Sequence, residues 1–199
     1  MSRTTHARQD AIDTAIRLFR AQGYAGTGLT QLLTESGAPK GSFYFHFPGG
    51  KEQLALEALA VYGEQVANWL KKRLQETPND PATFVRAVFI GTARELTRSE
   101  FNAGCVATNL GGEMGADSIM APAVARVLDS WIEVIADGVA SAFDTRELAR
   151  AYATTLMATL SGSRSMTRAY RSAAPLDAAA EFFVALLSCN LPAKSAASG

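Results

Sequence analysis

Residues 37–51 decide the fold, and they read Gly-Ala-Pro-Lys-Gly-Ser-Phe-Tyr-Phe-His-Phe-Pro-Gly-Gly-Lys. Within this stretch aromatic rings alternate with hydrogen-bond donors, and glycine and proline stand on both sides. Because glycine and proline interrupt regular structure, the pattern predicts an element of one to two turns between breakers. A helix that short is not stable alone. We therefore expect one side of it to pack on the chain and its polar side to face a partner.

The residues before this stretch predict two further helices. From about Thr5 to Gly23 apolar residues recur at the spacing of one helical face, and Gly23 is a typical stop. A second, shorter apolar repeat follows Gly28 and ends at Gly37. The first 47 residues therefore predict a three-helix unit that contains a helix-turn-helix. The repeats consist of Ile12, Ala15, Ile16 and Phe19, then Leu29, Leu32 and Leu33.

The rest of the chain also shows only helical patterns, so we predict an all-α fold of about nine helices. A long helix runs from Lys51 to about Thr77, and Asp80 followed by Pro81 predicts an N-cap and the first turn of the next. Residues 101–122 contain several glycines and predict a short, bent helix at 105–111. Helices are further expected at 122–143, from about Thr145 with Asp144 as N-cap, and from Pro175, and a disordered tail at 192–199.

Charge and cysteine content narrow the function. The formal net charge is zero, yet residues 1–51 carry six lysines and arginines against three acidic residues, which suits a phosphate-binding end. The two cysteines, Cys105 and Cys189, form no CxxC pair, so a zinc site is not expected. The N-terminus has no apolar leader and no apolar run approaches a membrane span. These features predict a cytoplasmic protein without a cofactor or a membrane partner.

The motif Gly37-x-x-x-Gly41-x-x-Tyr44-x-His46-Phe47, followed by Lys51-Glu52-x-Leu54, resembles that of TetR-type bacterial transcriptional regulators. The runs Glu-Ser-Gly-Ala-Pro-Lys-Gly-Ser and Phe-Pro-Gly-Gly-Lys-Glu are similar to those of the LmrA/YxaF-like branch. The resemblance covers roughly residues 8–60. It implies a helix-turn-helix DNA-binding domain at 1–50 and a ligand-binding and dimerisation domain at 51–191. It further implies a homodimer on a palindromic DNA operator, whose repression is relieved by a small, largely apolar effector.

The resemblance divides the DNA-contacting residues by task. Tyr44 and His46 can donate to phosphate oxygens without reading sequence, although both could simply pack or cap the helix end. Lys51 begins the fourth helix, where amides and cation both favour an anion, although it could be a solvated lysine. Lys40 could donate to guanine and Phe45 could contact a thymine methyl. The implied DNA-binding residues are Thr30, Lys40, Gly41, Ser42, Tyr44, Phe45, His46 and Lys51.

Two features depart from the family pattern, the cap of the second helix and the turn after the third. Gly28 stands where a hydroxyl residue usually caps the second helix, so Thr27 or backbone amides would serve instead. The turn from Phe47 to Lys51 is one residue longer than the common version. On the inner face, Phe43 and Phe47 are expected in the core.

The implied ligand pocket lies in the helical body, near the irregular segment 101–115. Such pockets are lined mostly by apolar and aromatic groups, and each candidate could equally be an ordinary core residue. Asn109 is informative because a polar amide beside Val106 and Leu110 needs a partner if it is buried. A redox role for Cys105 finds no neighbouring base or resolving thiol in the sequence. The candidates are Phe89, Cys105, Thr108, Asn109, Glu113, Trp131, Ile135, Tyr152 and Met157.

The last two helices are expected to form a four-helix dimer interface through small residues and apolar side chains, with a hairpin inside one chain as the alternative. The apolar side chains are Phe182, Phe183, Leu186 and Leu187.

The sequence also bears on two other classes of function. An enzyme is disfavoured because the sequence has no metal-ligand set, no recognisable pair of catalytic carboxylates and no phosphate-binding loop. A DNA-binding activator or architectural protein without an effector stays open.

Overall fold

The computed structural model describes residues 3–113, 115 and 118–188; the predicted tail at 192–199 and Cys189 lie outside these ranges. The described chain contains nine α-helices, a single 3-10 turn and no strand, which confirms the predicted all-α fold. None of its helices is both long and apolar enough to span a membrane. The helices are α1 (Arg3–Gln22), α2 (Leu29–Ser36), α3 (Lys40–His46), α4 (Gly50–Glu76), α5 (Pro81–Arg98), α6 (Val106–Glu113), α7 (Ala121–Val139), α8 (Arg146–Tyr170) and α9 (Ala174–Ser188).

Most helix ends follow the predicted signals. Gly37 caps the C-terminus of α2 with a left-handed φ of 66°, a conformation that costs glycine little, and its N–H donates to the carbonyl of Thr34. The predicted cap at the start of α5 is confirmed, because the Asp80 carboxylate accepts a 3.0 Å hydrogen bond from the N–H of Thr83.

Two predictions around residues 139–147 are wrong. The helix expected to run to Phe143 ends at Val139, and a 3-10 turn follows at Ala140–Ala142. Phe143 is extended and its ring still packs 5.2 Å from the ring of Tyr152, so its apolar position needs no helix. The N-cap of α8 is Thr145 rather than Asp144: the threonine hydroxyl accepts from the N–H of Leu148.

The described helices form two compact units. The first holds the described residues up to Val66 and those between Asn102 and Asp129. Within it α1 packs against α2, α3 and α6, and its core includes the buried rings of Phe19, Phe43 and Phe47. This unit therefore contains the first part of α4 and the whole of α6 in addition to the described residues up to 50. The division into a DNA-binding domain at 1–50 and a ligand-binding domain at 51–191 stays a prediction.

The second unit holds 67–101 and the described residues from Ser130 onward. In it α5 packs against α8 and α9, and α8 packs against α9. Large apolar side chains fill its core, as in other helical bundles. The fully buried ones include Phe84, Phe89, Leu96, Trp131, Ile135 and Phe183.

Candidate nucleic-acid interface

The short helix α3 has one buried face and one exposed face. Phe43 and Phe47 are buried, and their ring centres lie 5.2 Å apart. Arg8 of α1 sits over the Phe47 ring at 5.9 Å and pairs with Glu57 of α4, so the buried side of α3 is held from two helices. The prediction that Phe43 and Phe47 belong to the core is confirmed.

The opposite face presents Lys40, Gly41, Tyr44 and Phe45 to solvent. The Phe45 side chain is 78% exposed and that of Tyr44 is 42% exposed. A Cβ added to Gly41 would meet no other atom within 4 Å, so the backbone is open on this side. Exposing a phenylalanine forgoes the burial that usually stabilises it, which marks the face as a contact surface.

Ser42 and His46 are half-buried at the edge of the exposed face. The His46 ring packs against the rings of Phe45 and Phe47, and its Nε2 atom is buried without a hydrogen-bond partner in the described part of the chain. A buried imidazole nitrogen normally has a partner. For His46 to donate to a phosphate, its ring would have to turn outward.

The turn after α3 places Lys51 at the start of α4. The N–H of Gly50 donates to the carbonyl of Phe47 at 2.8 Å, and the Gln53 side chain accepts from the N–H of Gly49. The Lys51 ammonium lies 4.0 Å from the centre of the Tyr24 ring. Burial lowers the pKa of Lys51, while the negative charge of Glu113 acts to raise it. The longer turn therefore still delivers a cation to the N-terminus of a helix, where anions are favoured.

The exposed residue Thr30 lies on α2, which carries a chain of polar contacts to α1. Gln22 donates to Gln31, Gln31 donates to Glu35, and Glu35 pairs with Arg17. The Arg17 and Gln31 hydrogen bonds lower the pKa of the Glu35 carboxyl. These contacts fix α2 against α1 without using Thr30, whose side chain stays on the surface.

The N-terminus of α2 has no side-chain cap. Gly28 occupies the N-cap position in an extended conformation and supplies no acceptor. Thr27 does not take over, because its buried hydroxyl donates to the carbonyl of Gly23 at 2.6 Å. The start of α2 therefore has no side-chain cap, and the prediction that Thr27 replaces one is wrong.

Four of the candidate ligand residues lie on or beside α6, in the first unit. Cys105 is buried, and its carbonyl accepts from the N–H of Asn109 and the hydroxyl of Thr108. The Asn109 amide donates to the carbonyls of Phe19 and Arg20, which is the partner that the sequence required. The Glu113 carboxylate accepts from backbone N–H groups that follow α1. The sequence suggests all four as pocket residues but does not reveal that two of them, Asn109 and Glu113, hold the end of α1 and the loop after it.

The other five candidates are all buried in the second unit. Phe89 and Tyr152 both contact the Phe183 ring, at 5.9 and 5.3 Å between ring centres. The Tyr152 hydroxyl donates to the carbonyl of Phe183 at 2.7 Å, and burial raises the pKa of this phenol. Phe89 and Tyr152 are thus brought together by their shared contact with Phe183. The five are Phe89, Trp131, Ile135, Tyr152 and Met157.

Comparison with known proteins agrees with this arrangement. Residues 11–58 match the model of bacterial regulatory proteins of the tetR family, and residues 81–182 match that of the LmrA/YxaF-like regulator C-terminal domain. The chain is 49% identical to the HTH-type transcriptional regulator LmrA of Bacillus subtilis over 81 residues, which is 41% of this chain and 43% of LmrA. It is 31% identical to the uncharacterised HTH-type regulator Rv0196 of Mycobacterium tuberculosis, over 94% of this chain and 97% of that protein.

A solved structure shares the fold. The regulatory protein TetR from Rhodobacter sphaeroides superimposes with a TM-score of 0.82 at 24% identity, covering 90% of this chain and 97% of that one. The matching families contain transcriptional regulators and not enzymes, so the prediction against an enzyme is confirmed. The exposed face of α3, the two family models and the full-length relative lead to one conclusion: the chain belongs to the TetR family of DNA-binding transcriptional regulators, in its LmrA/YxaF-like branch.

Proposed function

We propose that the protein is a homodimeric repressor that binds a palindromic operator and leaves it when a small, largely apolar effector binds. The observation that supports this proposal best is the exposed face of α3, where Phe45 and Lys40 stand in solvent beside the open backbone of Gly41. Such a face fits the major groove, which admits an α-helix and presents distinct base edges. The protein would act at the bacterial nucleoid, in the cytoplasm.

The contacts divide into positioning and reading. Tyr44, Ser42, His46 and Lys51 would contact phosphates, because phenol, hydroxyl, imidazole and ammonium groups donate to phosphate oxygens irrespective of sequence. The base-reading group is proposed to be Lys40, Phe45 and Thr30, all of which are exposed.

Dimerisation through α8 and α9 is supported by what these helices leave exposed. They pack against each other as a hairpin, yet Phe182 is 59% exposed and Met166 and Tyr170 are also in solvent. Ala151, Ala158 and Gly162 lie on one exposed face of α8 and permit close approach of a second helix. Phe183 is buried inside its own unit and is not part of this surface. Exposed apolar and small side chains on these two helices suit the symmetric interface of a two-fold dimer.

The effector site is proposed among the buried aromatic and apolar candidates of the second unit, because apolar ligands are held by such groups. An effector shifts the regulator only if it binds better to the conformation that holds DNA poorly. Helix α4 begins at the DNA-contacting turn and continues into the second unit, so it can carry that difference along the chain.

A DNase footprint on the DNA upstream of the gene for this protein and its neighbours tests the proposal. We expect a protected palindrome whose protection is lost when a compound found by a thermal-shift screen is added. Protection that persists with every stabilising compound would favour the alternative, a DNA-binding activator or architectural protein without an effector. No protection by the wild-type protein would overturn the DNA-binding role of α3.

A further inference from the structure

The C-terminal end of α1 receives hydrogen bonds from a part of the chain that comes some ninety residues later. The Asn109 side-chain amide donates to the carbonyl of Phe19 at 2.8 Å and to that of Arg20 at 3.3 Å. The last four carbonyls of a helix have no partner within the helix, so each needs a cap from elsewhere. Asn109 supplies two of these caps from α6.

A second attachment is made by the Glu113 carboxylate. Its two oxygens accept from the N–H of Tyr24 at 3.2 Å and from that of Ala25 at 2.6 Å. Hydrogen bonds to an ionised acceptor are stronger than neutral ones. Gly23 makes room for this carboxylate, because a Cβ at that position would lie 1.9 Å from a Glu113 oxygen, and its φ of 79° also favours glycine.

A third attachment joins Arg20 to Gly104 in both directions. The N–H of Gly104 donates to the carbonyl of Arg20 at 2.8 Å, and the Arg20 guanidinium donates to the carbonyl of Gly104 at 3.0 Å. We call Gly104, Asn109 and Glu113 the α1 latch. All three contacts lie inside the first compact unit.

The backbone held by the α1 latch leads directly to the DNA-contacting residues. Tyr24, whose amide is fixed by Glu113, carries the ring against which the Lys51 ammonium rests at 4.0 Å. The same loop continues through the buried Thr27 to the start of α2. A shift of Tyr24 would therefore move both a phosphate-contacting cation and the entry to the helix-turn-helix.

We propose that Asn109 and Glu113 are positioning residues for DNA binding, which complete the helix-turn-helix unit from α6 by fixing the end of α1 and the Tyr24 loop. This inference rests on the proposed function. It assigns to α6 a task in DNA binding that does not depend on whether the same side chains touch an effector.

The first test compares Glu113→Ala and Glu113→Gln with Glu64→Ala, an exposed carboxylate on α4 outside the latch. Duplex affinity is measured by fluorescence anisotropy on a palindrome selected from random DNA by the wild-type protein. We expect Glu113→Ala to lose roughly tenfold in affinity, and Glu113→Gln to lose less because its amide oxygen still accepts one hydrogen bond. Amide hydrogen exchange should quicken at Tyr24 and Ala25 in Glu113→Ala and not in Glu64→Ala.

The second test separates positioning from general destabilisation. If Glu113 acts through Tyr24 and Lys51, then Glu113→Ala should cost clearly less affinity in a Lys51→Ala background than in the wild type. Additive losses, or wild-type affinity in Glu113→Ala despite faster exchange at Tyr24, would overturn the inference. A wild-type protein that binds no duplex would instead sink the proposed function, and unchanged exchange at Tyr24 and Ala25 would refute the latch itself.

Discussion

The Lys51 ammonium and the Tyr24 ring, 4.0 Å apart, join the start of α4 to the loop after α1. Burial lowers the pKa of this lysine, while the negative charge of Glu113 opposes that effect. The cation is thus partly stripped of water and held beside the N-terminus of α4. A phosphate that replaces the remaining water would meet an ammonium already in place.

We expect Lys51→Ala to weaken binding to the operator and to scrambled DNA by the same factor, since a phosphate contact carries no sequence information. Loss of one phosphate contact should also reduce the slope of log affinity against log salt by about 1. Anisotropy titrations over a salt series measure both effects, with the exposed Lys72→Ala as the matched control. An unchanged salt slope would show that Lys51 does not touch phosphate.

Lys40→Ala should behave differently because this lysine is proposed to read a base. We expect a loss of about 1–3 kcal/mol on the operator and a smaller loss on scrambled DNA, so that specificity relaxes. Competitive gel shifts with the two duplexes provide the measurement. Equal losses on both would assign Lys40 to the phosphates.

Gly41→Ala separates folding from binding. A Cβ at residue 41 meets nothing in the free protein, so the free energy of unfolding should be unchanged or should rise by up to about 1 kcal/mol through better helix propensity. Operator affinity should fall, because the methyl group occupies the side on which the backbone is open to DNA. Urea denaturation and anisotropy on the same preparation check the two expectations. Wild-type affinity in Gly41→Ala would mean that DNA does not approach this backbone.

Phe182→Glu should dissociate the proposed homodimer, because it replaces an exposed apolar ring of α9 with a charge that an apolar interface would bury. Sedimentation velocity should then show a monomer, and circular dichroism should show that it is still helical. Its affinity for the operator should fall. Glu181→Ala, which removes a surface ion pair with Arg86, is the control and should keep the wild-type sedimentation coefficient. A Phe182→Glu protein that still sediments as a dimer would place the interface elsewhere.

Tyr152→Phe should alter the alkaline stability of the second unit. Burial raises the pKa of the Tyr152 phenol above its ordinary 10.0, so folding disfavours its ionisation. The stability linked to this group is complete below about pH 10 and is lost as the pH rises through the folded-state pKa. We expect Tyr152→Phe to lose about 1 kcal/mol at neutral pH with the hydrogen bond to Phe183.

The same substitution should also flatten the fall in melting temperature above pH 10. Part of that fall should persist through Tyr24, whose pKa is raised by burial and by Glu52. Superimposable alkaline profiles for wild type and Tyr152→Phe would contradict this assignment.

Local signals predicted much of the fold. Gly37 ends α2 because glycine adopts a left-handed φ at little cost. Asp80 caps α5 by accepting a hydrogen bond from an amide only three residues away. The split of α3 also followed from sequence, since Phe43 and Phe47, four residues apart, share one side of a helix while Tyr44 lies on another.

What sequence could not supply were contacts between distant positions. The sequence shows Asn109 as a polar group in need of a partner, but its acceptors lie 90 and 89 residues earlier and no periodicity connects them. Phe143 kept the apolar spacing of α7 beyond the real end of that helix, because its ring packs against Tyr152 from extended backbone. In both cases the tertiary partner, rather than the local pattern, decided the outcome.

The 90 residues of sequence between Phe19 and Asn109 also impose a delay during synthesis of the chain. A ribosome that adds about 5–20 residues per second needs roughly 5–20 s to extend the chain from one to the other. Throughout that interval the carbonyls of Phe19 and Arg20 lack the hydrogen bonds that Asn109 and Gly104 later donate. The DNA-reading end of the nascent chain is therefore made first and finished only when residues 104–113 have left the ribosome, well after its own three helices are complete in sequence.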